Sequence, residues 1–143
     1  MTDKALQEQY LRRILNSEVY DVAIESPLDE AVALSRKLGN RFLLKREDLQ
    51  GVHSFKIRGA YNKMSQLPRA ALEKGVLAAS AGNHAQGVAL SAKKLGCKAT
   101  IVMPVTTREI KIASVRSHGA SIVLSGDSYS DAAATAARLV KEK

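Results

Sequence analysis

Gly75-Val-Leu-Ala-Ala79, Lys98-Ala-Thr-Ile-Val-Met103 and Ser121-Ile-Val-Leu124 are three short apolar runs, and what separates them decides the fold. Between the first two, His84 to Leu95 sets Ala85, Val88, Ala89, Ala92 and Leu95 at helical spacing on one side, with Lys93 on the other. Gly96 follows as a left-handed cap. Thr107 to Ser117 repeats the arrangement before the third run and is closed by Gly119, and Tyr129 to Lys141 adds an alanine-rich helix after it. A tight hairpin joins antiparallel strands, whereas parallel strands need a crossover of about a dozen residues, usually a helix. The spacing therefore predicts buried strands in right-handed β-α-β units, an α/β chain with a parallel sheet and flanking helices.

Upstream the pattern is less regular. Phe55 to Gln66 reads as a helix halted before Pro68. Arg41 to Arg46 is a strand candidate around Phe42, Leu43 and Leu44. Ser26-Pro27-Leu28-Asp29 resembles a helix start, with Ala31, Leu34 and Leu38 following at helical spacing and Gly39 as the cap. Lys4 to Asn16 gathers Ala5, Tyr10, Leu11, Ile14 and Leu15 on one face of an amphipathic helix. The sequence ends at Lys143, where another strand is expected, so the sheet is expected to be incomplete and the chain to be the front part of something longer.

The 143 residues are 45% hydrophobic, which argues against disorder, and contain no apolar run long enough for a membrane helix. The start, Met1-Thr-Asp-Lys-Ala-Leu-Gln-Glu-Gln, lacks the apolar stretch of a secretory signal, so a cytoplasmic location is expected. The net charge is +8, yet Lys and Arg are spread along the chain and aromatics are only 4%, so no nucleic-acid partner is expected. Cys97 stands alone and reads as small core filler; His53, His84 and His118 show no metal-ligand spacing.

Ligands of parallel α/β sheets bind beyond the carboxyl ends of strands. The richest such loop is Ser80-Ala81-Gly82-Asn83-His84, where Gly82 allows close approach and a helix start offers free N–H groups to a carboxylate or phosphate. The alternative is that Ser80 or Asn83 only caps the helix. Gly82 and Gly87 do not form a dinucleotide fingerprint. The second feature is Lys45-Arg-Glu-Asp-Leu-Gln50, followed by His53-Ser54-Phe55-Lys56-Ile57-Arg58-Gly59-Ala60. A Lys at a helix start between Phe55 and Ile57 is expected to have a lowered pKa and to be a good amine nucleophile towards carbonyl compounds. Solvation like that of the chain's other basic residues is the alternative.

With SFKIRGA around Lys56, KRED before it and SAGNHAQG after the next strand, the chain resembles the fold-type-II (tryptophan synthase β-like) pyridoxal-phosphate enzymes, and more narrowly the threonine dehydratases. Val19-Tyr-Asp-Val-Ala-Ile-Glu-Ser-Pro-Leu28 and Ile101-Val-Met-Pro104 resemble their biosynthetic, isoleucine-pathway branch. The resemblance implies pyridoxal 5'-phosphate as cofactor, held by Lys56, which also moves the substrate's α-proton. It implies that Phe55 packs beside the cofactor ring, that Asn83 bonds its 3-hydroxyl oxygen, and that Ser80, Ala81, Gly82, Asn83 and His84 grip the substrate carboxylate. The implied reaction is deamination of L-threonine to 2-oxobutanoate and ammonia, with L-serine as an alternative substrate. The family's serine racemases resemble this chain around Lys56 but carry a Ser where it has Ala81, so elimination is expected over racemisation.

The resemblance further implies that residues 1–53 belong to the larger cofactor domain, that 54–143 form a smaller β-α-β domain, and that the enzyme is a homo-oligomer. The family's glycine-rich phosphate loop has no counterpart here, since none of the nine glycines adjoins another. Weak cofactor binding and impaired turnover are therefore expected. The competing expectation is a non-catalytic binding or assembly module that uses an exposed sheet edge.

Overall fold

The computed structural model describes residues 3–142. From the amino end the chain forms α1 (Asp3–Leu15), β1 (Leu28–Glu30), α2 (Val32–Leu38) and β2 (Leu43–Lys45). It continues with α3 (Lys56–Ser65), α4 (Arg69–Lys74), β3 (Val76–Ala79), α5 (Asn83–Leu95), β4 (Ala99–Met103), α6 (Glu109–Ser117), β5 (Ser121–Leu124) and α7 (Tyr129–Lys141).

β3, β4 and β5 lie side by side in that order and all parallel, with Ala78 opposite Ile101 and Ile101 opposite Ile122. The alternation of a strand's side chains then sorts the core into two layers. Ala99, Ile101 and Met103 face α5 and α6, in one cluster with Ala85, Val88 and Val115. Val102 faces the other way, onto Ala132 and Ala136 of α7. Coverage on both faces is why β4 reads as an uninterrupted apolar run; Ile101, Val102 and Met103 are fully buried. β3, expected to be buried, is half-buried along its length because it forms one edge of the three-stranded sheet. Cys97 is half-buried and packs against the first layer, in keeping with a filler role.

The helix boundaries shift slightly. α5 starts at Asn83 rather than His84, and α6 at Glu109 rather than Thr107. α4 was not expected: Pro68, at φ −56°, ends one helix and opens the next, a position where its missing N–H costs nothing. Gly39 and Gly96 take the left-handed cap conformation that their place after each helix implies.

The larger correction is at Ser26–Asp29. Leu28–Glu30 is not a helix start but a strand, paired antiparallel with Leu43–Lys45. Pro27 suits either element's first turn or edge. The choice falls to the partner strand, extended by Arg46 N–H donating to the Pro27 carbonyl at 2.9 Å. The apolar face expected on α1 exists as a pattern but meets nothing: no residue of α1 is buried, and Ile14 and Leu15 are 67% and 73% exposed.

Candidate active site

The carboxyl ends of β3, β4 and β5 open onto the starts of α5, α6 and α7. At α7 the free N–H groups are satisfied from within. The Ser128 hydroxyl accepts the Asp131 N–H, and the Asp131 carboxylate accepts the Ser128 and Asp127 N–H groups, which holds its pKa below the usual range. α5 differs. Its N-cap is Gly82, with no side-chain cap; the Ala85 N–H donates to the Gly82 carbonyl at 3.0 Å, and the Asn83 and His84 N–H groups remain on offer. Ser80 does not cap the helix; its hydroxyl accepts the Gly82 N–H at 3.3 Å and tightens the loop. Asn83 and His84 are exposed, while Ser80, Ala81 and Gly82 are half-buried. A Cβ placed on Gly82 would meet only the Lys111 Nζ, 4.0 Å away, so there is open room above this backbone beside a half-buried cation.

Lys56 is the first residue of α3. Its N–H donates to the Ser54 hydroxyl at 3.3 Å, and its Nζ lies 4.5 Å from the Phe55 ring centroid. The apolar enclosure expected around this amine is not formed. Successive helical residues point about 100° apart, so Ile57 turns fully into the core while Lys56 stays exposed. Phe55 is 59% exposed and offers its ring to the amine rather than to the core.

The two features meet through Gly87. A Cβ there would lie 3.2 Å from the Lys56 carbonyl oxygen and 3.4 Å from the Ala60 Cβ, so any larger residue requires the α3–α5 crossing to open by a few tenths of an ångström. Asn83 sits one turn before Gly87 on the same helix face, which sets the start of α5 beside the start of α3. Gly87 was missed as a site-forming residue, although a glycine inside a helical pattern, costing about 1 kcal/mol against alanine, was the available signal. Lys111 was also missed, because nothing local marks a lysine that only the α5–α6 packing brings to Gly82. Ser114 Oγ bonding Gln86 Oε1 at 3.0 Å fixes that packing.

Below Lys56 lies a polar knot. Arg58 donates from Nε and Nη2 to the two carboxylate oxygens of Glu47, both at 2.8 Å. Ser26 and Gln50 side chains also donate to Glu47, and fully buried Gln50 pairs with both backbone groups of Ile24 at 2.9 Å. The Arg58 fork drives the Glu47 pKa down to about 2. The stretch KREDLQ, read only as a charged loop, thus holds the α3 start in place.

Known proteins resemble the chain over most of its length. A tomato protein named threonine dehydratase 1 biosynthetic, chloroplastic, is 64% identical over 128 residues, covering 90% of this chain but 21% of its own length. The Burkholderia multivorans L-threonine dehydratase biosynthetic IlvA is 54% identical over 137 residues, 94% of this chain and 27% of its own. The chain thus spans about a quarter or less of these relatives. The solved structure of the processed form of threonine deaminase isoform 2 from tomato superposes with a TM-score of 0.93 at 55% identity, over 99% of this chain and 39% of that one. The family profile described as pyridoxal-phosphate dependent enzyme matches residues 19–143, and the chain belongs to that family.

Proposed function

We propose that this chain carries the lysine-bearing part of a threonine ammonia-lyase, which converts L-threonine to 2-oxobutanoate and ammonia as the first step of isoleucine biosynthesis. The observation that carries the reading is the α3–α5 crossing at Gly87, which packs the backbone of Lys56, whose amine is exposed, against the second turn of a helix with an uncapped start. Those groups fit the cofactor: an amine for its aldehyde, an exposed amide at Asn83 for its ring hydroxyl, and open space above Gly82. Pyridoxal phosphate, when bound, supplies the sink for the electron pair left at the substrate's α-carbon. Lys56 Nζ would hold the cofactor and would take the α-proton of the substrate. Phe55 would flank the cofactor ring, and Asn83 would bond its 3-hydroxyl oxygen. The loop from Ser80 to His84 holds the substrate carboxylate with its free N–H groups. Ala81 has no exchangeable proton, which favours elimination over racemisation and leaves L-serine as an alternative substrate.

Residues 1–53 belong, in this reading, to a larger cofactor domain, and 54–143 to a smaller one. Support comes from the exposed apolar side chains of α1, α2 and β2, which lack a core of their own. They suit burial against further chain or in a homo-oligomer. The cytoplasmic location belongs to the same proposal; the tomato relative's name places that protein in the chloroplast.

The test is borohydride trapping of pyridoxal phosphate on the chain, followed by peptide mass spectrometry and assay of 2-oxobutanoate from L-threonine. The expected result is preferential label at Lys56, absent from Lys56→Ala. Label spread evenly over the exposed lysines overturns the assignment.

A further inference from the structure

We infer that the Glu47–Arg58 pair is a positioning device for Lys56, an inference that rests on the reading of Lys56 as the cofactor lysine. Arg58 stands two residues beyond Lys56, in the first turn of α3. From the amino-terminal side the buried Ser54 hydroxyl accepts the Lys56 N–H at 3.3 Å, while the N-cap, Phe55, makes no side-chain cap bond, so the fork is the charged hold on this turn. The fork is doubly anchored. Arg58 Nη2 also donates to the Ile24 carbonyl at 3.1 Å, and its guanidinium lies 5.4 Å from the Tyr20 ring centroid. Glu47 in turn holds the Ser26 hydroxyl and the Gln50 amide. Three separate stretches of chain, around Ile24, Glu47 and Arg58, therefore converge on one carboxylate.

α5 also approaches closely here, since a Cβ added at Gly87 would lie 3.2 Å from the Lys56 carbonyl oxygen. The backbone of Lys56 is packed against α5 while its side chain is left exposed. A planar fork fixes both distance and orientation, which a lysine in place of Arg58 cannot do. His53 reinforces the picture. It is the one non-glycine residue at positive φ among the described residues, at 52°, and its Nδ1 lies 3.2 Å from the Asp48 carbonyl oxygen. The turn between Glu47 and Lys56 is thus held in a conformation that a free loop avoids.

The experiment compares labelling of Lys56 with labelling of exposed Lys94, using pyridoxal phosphate and borohydride on the whole chain. The Lys56-to-Lys94 ratio is an internal readout that a purely stabilising brace would leave alone while moving the unfolding midpoint. Arg58→Lys, which keeps the charge and loses the fork, is expected to lower the ratio about tenfold, given how steeply reactivity falls with misplacement. Glu47→Gln, nearly isosteric, is expected to lower it less and decides the matter should Arg58→Lys fail to fold. A ratio unchanged in folded Glu47→Gln overturns the positioning role. If the unsubstituted chain shows no preference for Lys56, the cofactor-lysine reading fails first and this inference with it. Preference that survives both substitutions removes this inference alone.

Discussion

Residues 3–50 and residues 56–142 both carry periodic apolar faces, less regular in the first, and end in opposite states. In the second stretch the faces turned to the sheet find partners: β4 is buried on both sides, and α5 and α7 each cover one face of the sheet. In the first, Ala23 is the only buried apolar side chain among the described residues, while Tyr10, Ile14, Leu28, Leu38 and Leu44 are all about half exposed or more. What orders the first stretch is polar instead: Ser26 and Gln50 are buried, and Glu47 and Arg58 are paired. The difference teaches that periodicity states which face wants covering, whereas burial depends on whether a neighbour of matching shape is within reach.

Truncation of the sheet core should break the second region alone. Ile101→Ala is expected to cost about 2–5 kcal/mol in chemical denaturation, because the fully buried side chain leaves a cavity between β4 and α5. A cost near zero would mean that the sheet is not the stable half. Gly87→Ala should come next, at about 1–3 kcal/mol, since the added methyl would crowd the Lys56 carbonyl oxygen at 3.2 Å, despite alanine's higher helix propensity. The same substitution should lower Lys56 labelling; a stabilised, fully labelled Gly87→Ala chain would show that the α3–α5 crossing can relax.

Acid probes the polar knot of the first region. The Glu47 pKa is depressed from its ordinary 4.5 to about 2, chiefly by Arg58, so its contribution to stability is present above pH 4.5 and is lost as pH falls towards 2. Glu47→Gln should therefore be less stable at neutral pH and show a flatter decline over that window, read from unfolding midpoints against pH. Equal slopes would mean that Glu47 keeps its ordinary pKa. The smallest effect is expected on α1. Ile14→Ala, at a side chain 67% exposed, should move stability by no more than about 0.5 kcal/mol. A loss comparable with that of Ile101→Ala would show that α1 is packed in solution and erase the contrast.

How much was legible follows the same division. The strands at Val76, Ala99 and Ser121 and the helices between them were readable because a parallel sheet demands apolar strands and crossover helices, both of which leave strong periodic marks. Lys56 and the loop from Ser80 to His84 could be singled out as candidates, since an amine at a helix start and a glycine-bearing loop after a strand have meaning without coordinates. The strand at Leu28 was not, because Pro27 serves two elements equally and only β2 decides between them.

The sequence by itself determined the α/β class, the glycine caps after α2 and α5 and the reactive groups on offer, because these depend on local spacing and on the side chains' own chemistry. Tertiary structure alone decided that Gly87 seats α5 against Lys56, that Lys111 reaches Gly82, and that Glu47 binds Arg58. Each of those contacts joins elements through packing whose geometry no single stretch encodes.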